Sequence, residues 1–171
     1  MSQLIFTSEK DEIDFRVHLA GYIRMKKKRR YRRKAGYLLV RECKSLRNCL
    51  QVEAKITKGY KLPEITVIHT VGPNCSGQEI QKSDKDMLRK CYQNCLKLCD
   101  VINLSSIAFC LISCGEFGYD VYVGTQISLE ESTNYLRDKP DSSIKDIIFT
   151  AFDPNDANIF DRVFEGKKRN N

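Results

Sequence analysis

Two stretches of this 171-residue chain carry residue types and spacings suited to binding a charged ligand. The first is Ser113-Cys114-Gly115-Glu116-Phe117-Gly118-Tyr119. Its two glycines let the backbone turn sharply and approach an anion. The consecutive N–H groups, with the start of a helix just beyond, supply positive partial charge. A glycine pair alone is an ordinary turn, so its weight depends on what flanks it. The second stretch is KKKRRYRRK at Lys26–Lys34, where eight cations surround Tyr31. Such a run neutralises phosphates and offers one stackable ring without any base-reading code. It also has the composition of a solvated basic loop without a partner.

Two other groups have a chemical and a plainer reading. Cys91, Cys95 and Cys99 recur every four residues and would share one helix face, a spacing that three thiolate ligands of a metal could use. Leu88 and Leu98 extend the same stripe and no CxxC occurs, so these thiols are expected to be small core residues. His69 lies inside VIHTVGP and is expected to be packed or hydrogen-bonded rather than to act as a general base.

The length allows one domain with a real core, and the apolar fraction of 42% is that of a globular protein without a membrane span. The N-terminus lacks the basic start and apolar stretch of a secretory signal, so an intracellular protein with reduced cysteines is expected. The net charge of +7 comes from one place: the eight charges of Lys26–Lys34 leave the remainder at −1.

Elements able to position these residues follow from Glu64 onward. ITVIHTV at Ile65–Val71 reads as a buried strand ending at Gly72-Pro73. Ser83 is a candidate N-cap for a helix through Met87, Leu88, Cys91, Cys95 and Leu98, ending near Asn103. Ser105–Ser113 is a second strand, Val121–Arg137 a helix, and Ile144–Phe152 a third strand. Asp153-Pro154 then leads into a short helix carrying Ile159, Phe160, Val163 and Phe164. This alternation predicts an α/β class. Upstream, Ala35–Leu46 reads as a helix, with Leu4–Phe6 and Phe15–Leu19 as short strand candidates.

Several blocks together resemble a macro domain of the MacroD type. They are AGYLLVREC (Ala35–Cys43), EAKITKGYKLP (Glu53–Pro63), VIHTVGP (Val67–Pro73), CYQNCLKL (Cys91–Leu98), SSIAFCLISCGEFGY (Ser105–Tyr119) and IKDIIFTAFD (Ile144–Asp153). The resemblance runs from about Ala35 to Phe164. It implies a three-layer α/β/α fold with a mixed central sheet, incomplete at its N-terminal strands. The organisation expected is an atypical segment at 1–34, the macro domain at 35–165 and a disordered tail at 166–171.

The resemblance further implies that ADP-ribose binds beyond the ends of the central strands, with Ser113–Tyr119 wrapping the diphosphate and Phe152-Asp153 at the adenine. A base can stack on such a ring for about 1–3 kcal/mol. Glu116 stands where relatives usually carry an aliphatic residue. A carboxylate about 4 Å from a phosphate costs about 1 kcal/mol in water, so its side chain is expected to face outward. Asp120 replaces a common proline and is expected to cap the next helix.

The hydrolases of this family carry, upstream of the AG helix, an Asn-Ala-Ala-Asn strand end and a glycine run closed by a catalytic aspartate. Here no two glycines are adjacent and no Asn precedes Asn48. Counting back from Ala35-Gly36 puts Ile23, Arg24, Met25 and Lys26 at the glycines and Lys28 at the aspartate, with the strand end near Phe15–His18. Lys28 could attract phosphate but could not orient a water as a carboxylate does. Either the family's front end is degenerate in this chain or an incorrect first segment replaces it.

The expectation is an ADP-ribose-binding macro domain related to mono-ADP-ribosyl hydrolases of acidic side chains, impaired in catalysis. The alternatives are an active hydrolase, or a nucleic-acid-binding or nuclear-import element at Lys26–Lys34 on a degenerate scaffold. The partners implied are ADP-ribose or mono-ADP-ribosylated proteins, with no cofactor, metal or membrane. A monomer in nucleus and/or cytoplasm is expected.

Overall fold

In chain order the computed structural model runs β1 (Ser2–Glu9), β2 (Glu12–His18), α1 (Tyr37–Ser45), β3 (Ala54–Lys58), β4 (Thr66–Thr70), α2 (Lys82–Val101), β5 (Ser106–Cys110), α3 (Val121–Asp138), β6 (Asp146–Thr150) and α4 (Pro154–Lys168). It describes residues 2–9, 12–18, 35–46, 49–61, 66–151 and 153–168. The run Lys26–Lys34, the Ile23–Lys28 stretch and Phe152 lie outside the described residues.

The strands and helices expected from Glu64 onward are present, and so is the helix after Ala35. Of the two short upstream candidates, Leu4–Phe6 falls within β1 and residues 15–18 of the other within β2, Leu19 lying outside the described residues; the two strands form a hairpin paired from Ser2↔His18 to Glu9↔Glu12. β1 also pairs antiparallel with β6, and β6 pairs parallel with β5, giving a mixed sheet in the order β2-β1-β6-β5. β3 and β4 form a separate antiparallel pair. α2 touches β3, β4 and β5, so one helix supports both sheets. α3 packs against α2 and α4. No helix among the described residues is long and apolar enough to cross a membrane.

Side-chain period decides which faces are buried. β5 buries Ile107 and Phe109 and exposes Ser106, Ala108 and Cys110, the two-residue alternation of a strand with one face in the core. Ile147 and Phe149 of β6 lie beside them in register. An aromatic spine crosses the core. Tyr92 of α2 meets Phe109 edge-on at 5.1 Å, Phe109 stacks on Phe149 at 5.8 Å, and Phe149 reaches Phe160 of α4 at 5.6 Å. Aromatic pairs in this range add about 0.5–1.5 kcal/mol each beyond area burial.

The cysteine stripe is core, as expected. Cys91, Cys95 and Cys99 are buried, and burial raises all three thiols, Cys95 to about 12 and Cys99 to about 11. They are therefore neutral at physiological pH.

Two boundaries differ from expectation. Ser83 lies inside α2 rather than at its cap, because the carboxylate of Asp84 reaches back to accept the Gln81 N–H at 2.8 Å and sets the helix start two residues earlier. α4 continues through Gly166 to Lys168, so the stretch expected as a tail begins inside a helix.

Candidate functional site

The loop Ser113–Tyr119 joins β5 to α3, and each end is anchored by groups the sequence places far away. At its entry, the Ile112 N–H donates to the buried Tyr92 hydroxyl at 3.3 Å, tying the loop to the aromatic spine. Burial pushes the Tyr92 phenol well above its usual range, so it stays a neutral partner. β4 ends beside the same point. A Cβ on Gly72 would stand 2.3 Å from Ser113 Oγ and 2.8 Å from Ile112 Cγ2, so only glycine lets the two strand ends meet here.

Within the loop the backbone turns back on itself. The Gly118 N–H donates to the Gly115 carbonyl and the Tyr119 N–H to the Ser113 carbonyl, each at 3.0 Å. Gly118 has φ 63° and Ser113 has φ 66°. The left-handed region costs a serine roughly 1–2 kcal/mol, so the surrounding contacts must hold it there. Those contacts come from the turn after β4. The Cys75 N–H donates to the Phe117 carbonyl at 2.8 Å, and the Ser76 hydroxyl donates to the Glu116 carbonyl at 2.8 Å. A Cβ on Gly118 would lie 3.1 Å from Ser76 Cα.

These clamps use carbonyls and leave amides. Among the described residues, the N–H groups of Cys114, Gly115, Glu116 and Phe117 donate to no protein acceptor. Ser113 Oγ is buried and likewise has no hydrogen-bond partner among them. The Cys114 thiol donates to the Ile112 carbonyl at 3.5 Å and the Asp120 carbonyl at 3.8 Å. Burial, with a contribution from Asp156, pushes it up to about 12, so no thiolate opposes an incoming anion. The loop thus holds a row of idle N–H donors in a fixed, overdetermined backbone, a geometry suited to an anion.

Two helix N-termini flank the row. Asp120 caps α3, its Oδ1 accepting the Val123 N–H at 2.8 Å, as expected of the residue that replaces a proline. Asp153 caps α4, accepting the Asp156 N–H at 3.0 Å through Oδ1 and the Ala157 N–H at 3.1 Å through its carbonyl. β5 and β6 run parallel with Cys110 paired to Thr150, so α4 starts from the same edge of the sheet as the loop. Glu116 is exposed, its carbonyl rather than its carboxylate turned inward to Ser76. Tyr119 is buried under the loop, and desolvation raises its phenol.

His69 is hydrogen-bonded rather than free: its Nε2 lies 2.8 Å from Thr57 Oγ1 on the neighbouring strand. Sequence reasoning missed Gly72, Cys75 and Ser76. The Gly72-Pro73 turn was legible, but a hydroxyl reaching a carbonyl 40 residues away leaves no local pattern.

The chain is similar to known proteins. The macro domain family model matches residues 29–128. A protein-ADP-ribose hydrolase of Staphylococcus aureus is 38% identical over 112 residues, covering 66% of this chain and 41% of the relative. The ADP-ribose glycohydrolase MACROD1 of Bos taurus is 41% identical over 128 residues, covering 75% of this chain and 39% of its own length. The chain therefore spans about two-fifths of the length of these two relatives. A Trypanosoma brucei macrodomain solved in complex with ADP-ribose superposes with a TM-score of 0.71 at 36% identity, over 79% of this chain and 55% of that one.

Proposed function

The chain belongs to the macro domain family, and from that membership we propose that it binds ADP-ribose, free or attached to protein, with the diphosphate on the Ser113–Tyr119 loop. The observation that carries this reading is the row of idle N–H groups from Cys114 to Phe117, fixed between β5 and α3. Main-chain donors read an anion without needing a cationic side chain, and the two helix starts add favourable potential. The names of the Staphylococcus and Bos taurus relatives and the ligand of the Trypanosoma structure support the same chemistry. Phe152 and Asp153, which follow β6 in sequence, belong to the adenine side of this reading.

Hydrolysis is the part of the family's work this chain performs poorly. Ile23–Lys26 and Lys28 stand, by sequence, where hydrolases of the family carry glycines and an aspartate. A cation there does not orient a water for attack. The chain is thus read as a module that recognises ADP-ribose and has little capacity to remove it.

Calorimetric titration with ADP-ribose tests the binding, with ribose 5-phosphate as control for the single phosphate. Saturable heat with ADP-ribose and much weaker heat with the control are expected. A folded protein giving no heat at millimolar ADP-ribose removes the proposal. Release of ADP-ribose from automodified protein tests the second statement, with release no faster than the blank expected.

A further inference from the structure

Charge divides sharply along this chain. Residues 35–61 contain six Lys or Arg against two Asp or Glu, whereas residues 62–171 contain twelve against sixteen. The eight cations of Lys26–Lys34 adjoin the first block directly at Ala35.

The structure brings part of that first block together around the start of α1. On α1, Tyr37 is 75% exposed and Leu38 53% exposed, and Arg41, one turn from Tyr37, is exposed as well. The turn after β3 is pinned to the helix start, the Lys61 N–H donating to the Ala35 carbonyl at 3.3 Å. The Lys61 stem lies against Gly36, its Cδ 3.3 Å from where a Cβ would stand. Lys58, Tyr60 and Lys61 are therefore presented beside α1, all three exposed. Glu42, the acidic residue of α1, is occupied: its carboxylate accepts the Lys58 N–H at 3.1 Å and the Tyr60 hydroxyl, whose phenol is raised by that bond. Tyr60 sits at φ 56° and is 38% exposed.

We propose that this surface binds single-stranded nucleic acid, with Arg41, Lys58 and Lys61 at phosphates and the rings of Tyr37 and Tyr60 stacking on unpaired bases. Proteins that hold single strands without sequence preference combine such cations with exposed aromatic platforms. A duplex offers its charge but keeps its base faces stacked, so the two open rings favour the single strand. The ADP-ribose reading rests on different residues, and either can fail alone.

Fluorescence anisotropy of the full chain with a labelled 15-nucleotide oligo(dT) tests the proposal. Binding is expected to weaken steeply with salt, the log–log slope being about −0.7 per phosphate neutralised. With the basic run intact, Tyr37→Ala is expected to weaken binding roughly 5- to 100-fold, the worth of one base stack. Arg41→Glu with Lys61→Glu is expected to weaken binding and flatten the salt slope. These side chains are exposed, and an unchanged thermal midpoint verifies the fold of each variant. Excess ADP-ribose should leave the oligonucleotide bound. The proposal is overturned if the oligonucleotide does not bind, if a 15-base-pair duplex binds as tightly, or if the folded variants bind like the parent chain. Displacement by ADP-ribose, or preference for phosphatidylserine vesicles over the oligonucleotide, also overturns it.

Discussion

The loop Ser113–Tyr119 and the corner around Asp100 are both turns at the ends of helices and strands, yet they treat their polar groups in opposite ways. At the corner the donors converge on one carboxylate. Asp100, in the last turn of α2, accepts the Ser143 N–H at 2.8 Å, the Ser142 and Ser143 hydroxyls at 2.9 and 3.0 Å, and the Tyr135 hydroxyl at 2.9 Å. Lys139 Nζ stands 3.9 Å away. Burial alone would raise this carboxyl, but the hydrogen bonds outweigh it and hold it at about 2. They also offset the unfavourable position of an anion at a helix C-terminus. In the loop the carbonyls of Ser113, Gly115, Glu116 and Phe117 accept bonds, whereas among the described residues four successive N–H groups find no acceptor. Satisfied polar clusters fasten a fold, whereas idle donors in a rigid backbone await a ligand. On the proposed reading, the contrast separates the part of this molecule that is structure from the part that recognises a ligand.

Gly118→Val attacks the loop alone and should have the largest effect. Valine disfavours φ 63°, and its Cβ would crowd the Ser76 backbone at 3.1 Å. ADP-ribose affinity is expected to fall by roughly 30-fold or more, a loss of about 2 kcal/mol, by calorimetry. The reciprocal change, Asp100→Asn, is expected to cost about 1–3 kcal/mol of stability, measured by urea unfolding, and to leave ADP-ribose affinity within about twofold. If Asp100→Asn abolished binding while the chain stayed folded, the division between the two regions would collapse.

The pH dependence of the corner follows from the sign of its shift. Asp100 ionises more readily folded than unfolded, so its contribution is complete above the unfolded carboxyl pKa of about 4 and is lost as pH falls towards about 2. The stability gap between the parent chain and Asp100→Asn should therefore be widest at neutral pH and narrow below pH 4, in urea titrations across that range.

Smaller effects sharpen the comparison. Asp120→Ala removes the α3 cap and should cost about 1 kcal/mol of stability, seen as a lower unfolding midpoint. Glu116→Gln removes an exposed negative charge beside the loop. It should tighten ADP-ribose binding by no more than about fivefold at low salt, a gain that fades as salt rises.

How far the sequence could be read depended on the range of each interaction. The stripe of Leu88, Cys91, Cys95 and Cys99 was legible because burial imposes a helical period on neighbouring residues. The strands holding Ile107, Phe109, Ile147 and Phe149 were legible as short apolar runs, but a continuous run does not show which residues face the core. The Asp120 cap was legible because its partner is three residues away. Ser83 misled because a serine near a helix start is a common cap, while the bond that sets the start runs from Gln81 to Asp84. The clamp of Ser76 on Glu116 and the partners of Asp100 in Tyr135, Ser142 and Ser143 are tertiary pairings 35 to 43 residues apart, and no periodicity encodes them.

The central claim is that the idle amides of the loop, and not the satisfied ones of the corner, receive the ligand. Backbone amide chemical shifts recorded during an ADP-ribose titration test it most directly. The account predicts the largest changes at Cys114, Gly115, Glu116 and Phe117, with the Ser143 amide nearly still. Saturable ADP-ribose binding that left those four amides unmoved would contradict it.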